Sequence, residues 1–134
     1  MVSIEEHKRR AAEMVKDVEE KVKNDLIVER QEIVGFAASE AACDLLAILL
    51  HRRNLITPGF AVNHRFFASP QLAQKKYAFD FPHKSELVGL LVNQEKYRSL
   101  LCYGKAKERP VVEAAVKNFF AIKQVVEEVV GEPL

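Results

Sequence analysis

Residues Ile27 to His51 read IVERQEIVGFAASEAACDLLAILLH, and this stretch decides the fold. Its apolar positions surround the axis: Ile33, Val34, Phe36, Ala37, Ala41, Ala42, Leu45, Leu46, Ile48, Leu49 and Leu50. A helix that is apolar nearly all round must be covered on most sides, so the spacing predicts a central helix from about Ile27 to His51. Gly35 within it costs about 1 kcal/mol relative to alanine. The expected reason is close approach of another backbone on the face shared by Gly35, Ala38 and Ala42.

The flanks supply what would cover it. Ser3 with Glu6 three residues on is a capping-box pattern and starts a helix near Ile4. Ala11, Val15, Val18 and Val22 then share one face against a charged opposite face, and Asn24-Asp25 ends the element. From 54 to 86 the prolines at 58, 70 and 82 break any long period, and six aromatics crowd in: Phe60, Phe66, Phe67, Tyr77, Phe79 and Phe81. Short helices joined by turns are expected there. Ser85 to about Leu101 is helical again, with Leu87, Leu90, Leu91 and Tyr97 inward. Pro110 suits the first turn of a last helix through Val112, Val116, Phe119, Phe120, Ile122, Val126 and Val129, which Gly131 and Pro133 stop near Val130. The fold class is therefore all-α, one helical domain over 1–134 with no separate double-stranded RNA-binding domain.

Composition narrows the function classes. The 134 residues are 49% hydrophobic and 29% charged with a net charge of +1, which disfavours strong nonspecific nucleic-acid binding. No uninterrupted apolar run marks a membrane span and no secretory leader is evident, so a cytoplasmic protein without a membrane partner is expected. Cys43 and Cys102 are far apart and lack metal-ligand spacing, so both read as buried thiols in a reducing compartment. His7, His51, His64 and His83 show no zinc spacing, and no serine-hydrolase or phosphate-loop motif gives a nucleotide cofactor local support.

Glu29-Arg30-Gln31-Glu32-Ile33-Val34-Gly35-Phe36-Ala37 resembles the signature of the ribonuclease III catalytic domain. That signature runs acidic, basic, Leu, Glu, aromatic, Leu or Val, Gly, Asp, then a small residue, and it opens a long apolar helix. Glu29, Arg30, Glu32, Val34, Gly35 and Ala37 fit. Leu91-Val92-Asn93-Gln94-Glu95 and Leu101-Cys102-Tyr103-Gly104-Lys105 are similar to later family segments in order and spacing. The resemblance implies a homodimeric helical domain acting on or binding structured, double-stranded RNA. It also implies carboxylates holding Mg²⁺ or Mn²⁺, which generates the attacking water.

The departures fall on that chemistry. Glu32 matches the signature glutamate, but Phe36 stands where the family has aspartate, and phenylalanine has no lone pair for a metal. On the last helix the nearest acid is Glu113, with Pro110 where a second acid would precede it. Glu32 and Glu113 are thus the candidate catalytic residues. Glu32, Glu40, Asp44 and Glu113 are the candidate metal ligands, since Glu40 and Asp44 form an i,i+4 pair one and two turns past Phe36. The alternative is that these acids pair with Arg52, Arg65 or a lysine.

Asn63-His64-Arg65-Phe66-Phe67, with Lys75 and Lys76 nearby, reads as a basic surface with stacking aromatics, and His64, Arg65, Lys75 and Lys76 are its candidate RNA contacts. The competing reading puts those aromatics in the core, because a helical domain without Trp needs them there. A second family, the small helical bundles called HEPN domains, has ribonucleases that share an Arg followed after four to six residues by His. No Arg here has such a His, so an active enzyme of that class is disfavoured while the bundle stays open. Two functions follow: a ribonuclease III-like RNA-acting domain, or a catalytically silent dimeric interaction domain. Convergence of Glu32, Glu40, Asp44 and Glu113 separates them.

Overall fold

A computed structural model describes residues 2–134. Helix α1 spans Ile4–Lys23, α2 Gln31–Arg52, α3 Pro70–Lys76, α4 Lys84–Cys102 and α5 Arg109–Val130, with one 3-10 turn at His64–Phe67. No strand occurs among the described residues. The all-helical expectation holds.

Local signals account for most of the ends. Ser3 caps α1, its hydroxyl accepting from the Glu6 amide at 3.2 Å. Ser69 does the same for α3 with the Leu72 amide at 3.1 Å, and Pro70 occupies the first turn. Pro110 likewise sits in the first turn of α5, where a missing amide hydrogen leaves no intrahelical bond unmade. Gly131, in the left-handed region at φ 84°, terminates α5 as expected.

One boundary differs. Helix α2 begins at Gln31, not near Ile27. Asp25 enters the left-handed region at φ 53°, and a turn occupies 27–30. The Gln31 side chain holds that turn. Its amide nitrogen donates to the carbonyls of Val28 at 2.9 Å and Lys107 at 3.1 Å, while its oxygen accepts from the Lys107 amide at 2.7 Å. The apolar period ran on through Ile27 because that residue is buried by tertiary packing with Val34, Leu101 and Val112.

Helix α2 is the axis of the domain. It packs against α1 on one side and against α4 and α5 on the other, and its residues Ala41 to Leu50 are all buried. By length and composition α2 could cross a bilayer, yet 83% of its most apolar window is buried inside the fold. Its N-terminal part departs from the all-round burial expected, since Ile33 and Phe36 are 47% and 44% exposed. The six aromatics of the irregular segment plug the remaining side. Phe67, Tyr77 and Phe81 are buried, and the Phe67 and Tyr77 rings stack at 5.3 Å. Phe60, Phe66 and Phe79 are partly buried, so the six serve mainly as core packing.

Gly35 does face a close neighbour, and the neighbour is the end of α4. A Cβ at Gly35 would lie 2.9 Å from the Leu101 Cβ and 3.3 Å from the Cys102 Sγ. The Leu101 Cβ is fixed to its backbone and cannot swing away. Gly89, on α4, has open space where its Cβ would be. Gly35→Ala should therefore destabilise the fold by about 1–3 kcal/mol through overpacking, overriding a helix-propensity gain of about 1 kcal/mol. Gly89→Ala should keep that gain and stabilise. Urea denaturation of both variants checks the pair, and equal midpoints would contradict the packing assignment.

Candidate functional site

The sequence placed four acids at a prospective metal centre, and the fold sends them to different surroundings. Glu32 is exposed in the first turn of α2, where a negative charge suits the helix dipole. Glu113 is exposed on α5. Asp44 is buried against α1, its Oδ1 accepting from His7 Nδ1 at 2.7 Å and Arg10 at 3.0 Å. Glu40 takes Arg98 of α4 at 2.7 Å. Among the described residues no three His, Cys, Asp or Glu side chains gather into a metal-holding group. The four candidates are not brought together, because α2 turns Asp44 toward α1 and Glu40 toward α4.

The pairing alternative named the wrong cations. His7 and Arg10 hold Asp44, and Arg98 holds Glu40, whereas Arg52 reaches Glu132. The signal for these partners was in the helical spacing. Stepping back four residues from Ala11 along the buried stripe of α1 reaches His7. On α4 the stripe Leu87, Leu91, Gln94, Arg98, Leu101 places a glutamine and an arginine among leucines.

Arg98 organises the α2–α4 junction. Its side chain is only 11% exposed, donates to Glu40 and to Ser39 Oγ at 3.1 Å, and its guanidinium carbon lies 5.1 Å from the Phe36 ring centre. Planar, delocalised arginine satisfies all three at once, with two hydrogen bonds in its plane and an aromatic face above it. Beside it Cys102 is half-buried, contrary to the expectation of a fully buried thiol, and its Sγ donates to the Glu32 carbonyl at 3.4 Å. Burial pushes that thiol upward, so it is held as the neutral donor.

Of the RNA-contact candidates, His64 and Arg65 share one cleft, while Lys75 and Lys76 lie on α3. His64 Nδ1 lies 2.6 Å from Glu95 of α4, tethering the 3-10 turn to that helix. Arg65 is exposed beside it. Lys76 instead lies over the Phe60 and Phe66 rings at 4.4 and 4.5 Å, engaged by aromatic faces of its own segment. Lys75 is exposed and is not among the residues lining the cleft that holds His64 and Arg65.

A further polar group sits where the start of α1 meets the end of α2. The His7 and His51 rings are 5.6 Å apart, and His51 Nε2 and Arg10 Nε are buried without partners. Desolvation, and then the His7 charge, lower the proton affinity of His51 below the ordinary histidine value of 6.5. The unfolded chain therefore takes up this proton more readily than the folded one. The sign follows: His51 costs no stability above pH 6.5, and stability falls as pH drops below it. His51→Gln should flatten this part of the profile, measured as urea midpoints of parent and variant from pH 8 down to pH 5. Parallel profiles would contradict it.

Comparison of the chain with protein-family models, with curated proteins and with solved structures finds no match.

Proposed function

We propose that this chain is a catalytically silent helical interaction domain that self-associates across the α2–α4 junction. The observation that carries it is the placement of exposed apolar side chains. Of six large exposed hydrophobics among the described residues, Ile33 and Phe36 lie on the first turns of α2 and Leu100 and Tyr103 at the end of α4. Gly35 seats those two helix ends against each other. The result is an exposed apolar patch beside the Arg98–Glu40 pair, of the kind that marks a docking face.

The ribonuclease III resemblance supports the same reading. Against that signature, Phe36 stands in place of a metal-binding aspartate. An aromatic thus occupies the position that the chemistry would need, and it is 44% exposed on this face. Metal-assisted RNA cleavage is not part of the proposal, because Glu40 and Asp44 are already engaged by cations.

A second copy is the occupant a two-fold interface favours, since one self-complementary patch serves both partners. Light scattering and sedimentation should show a dimer. Phe36→Glu and Tyr103→Glu should each weaken it by about thirtyfold or more, as for a central aromatic anchor, with helix content unchanged. A chain that remains monomeric at high concentration, or a dimer indifferent to both substitutions, would defeat the proposal.

A further inference from the structure

A wide cleft lies between the 3-10 turn and the outer face of α4, and it shares Leu100 with the apolar patch of the α2–α4 junction. Its volume is about 550 Å³, within the range of small-ligand sites, and it is lined by His64, Arg65, Ala68, Glu95, Lys96, Ser99 and Leu100. Two kinds of wall meet there. Ala68 and Leu100 are apolar and exposed, and Leu100 is one of the six large hydrophobics left in solvent. Arg65, Lys96 and Ser99 are also exposed and bring two cations and a hydroxyl.

The charges of the cleft do not cancel internally. Its one carboxylate, Glu95, is 13% exposed and committed to His64, with its two oxygens 2.6 and 3.1 Å from Nδ1. That contact needs a proton on Nδ1 and leaves Nε2 for other partners. Neither Arg65 nor Lys96 forms an ion pair among the described residues, although Arg9, Arg10, Lys21, Arg52, Arg98 and Arg109 all do. Two unpaired cations beside a hydroxyl match a dianionic oxyanion. Arg offers a fork of donors and Lys a point charge, the usual complement for phosphate.

We propose that this cleft binds a small phosphomonoester whose body is apolar. The phosphate would sit between Arg65 and Lys96 with Ser99 as a further donor, and the body would lie against Ala68 and Leu100. Glu95 would act as a positioning residue by holding the His64 ring. This goes beyond self-association, which is tested at Phe36 and Tyr103 and uses none of these cations, although Leu100 borders both surfaces.

The test is titration of the purified full chain, followed by calorimetry and by NMR shifts, with phenyl phosphate, inorganic phosphate and phenol. Phenyl phosphate should bind at least tenfold more tightly than either fragment. Arg65→Ala and Lys96→Ala should each weaken it about tenfold, the loss of one charge-assisted hydrogen bond. Leu100→Ser should weaken phenyl phosphate and leave inorganic phosphate unchanged, and Lys75→Ala, outside the cleft, should change neither. Since all four side chains are exposed, the variants should fold as the parent does. Parallel arms with free phosphotyrosine and with a nucleoside monophosphate would identify the better body, and tight binding of either supports the cleft. No saturation by phenyl phosphate up to about 10 mM, a Kd equivalent to under 3 kcal/mol, would overturn the proposal. So would binding no tighter than inorganic phosphate, or affinity unchanged in both cation variants.

Discussion

Everything in this domain depends on the enclosure of one helix. An apolar helix such as α2 cannot stand in water by itself, and each neighbour exists to cover one side of it. Helix α1 covers it on one side and α4 with α5 on the other, and the aromatic segment closes what remains. Burial on this scale supplies the driving force, at roughly 25 cal/mol for each Å² of apolar surface withdrawn. Buried area by itself gives little direction, because several registers of an apolar helix among apolar neighbours withdraw similar surface, and close contacts such as Gly35 on Leu101 only narrow the choice. Direction comes from the few polar groups that α2 carries inward.

Those groups act as registers. Asp44 meets His7 and Arg10 and fixes α1, while Ser39 and Glu40 meet Arg98 and fix α4. Gln94, buried on α4, contacts the Ala115 carbonyl and Asn118 and ties α4 to α5. A shift of one turn along any of these contacts would strand a charge or an amide in the core, at a cost of several kcal/mol for a charge. Two of the four acids that suggested a metal centre, Glu40 and Asp44, are thus used to align helices. The same chemistry of carboxylates facing inward from a helix suits either task, and only the identity of the facing side chains decides between them.

That is also why the fold was more legible than the site. Helical periods, caps and prolines are local signals, and they placed α1, α4 and α5 within a residue or two. The start of α2 was missed because Ile27 and Val28 continue the apolar pattern while the backbone is turned by Gln31 and Lys107, a contact across 76 positions. The site needs such long-range facts throughout. That Glu40 belongs to Arg98, or Glu95 to His64, is set by packing that no spacing rule contains. The buried stripes of α1 and α4 did hold a usable trace, since a charged residue falling on an apolar stripe must find a partner inside.

The aromatic plug has a consequence for the one thiol of the core. Cys43 lies beneath the 3-10 turn, sharing a small internal space with His64, Phe67 and Leu91, and burial drives its ionisation far upward. In the closed fold it has neither the access nor the thiolate character that alkylation requires. It becomes chargeable only when the plug lifts and the His64–Glu95 tether lets go. The rate at which Cys43 reacts therefore counts the fraction of molecules with that segment open, so the chain carries its own gauge of local unfolding.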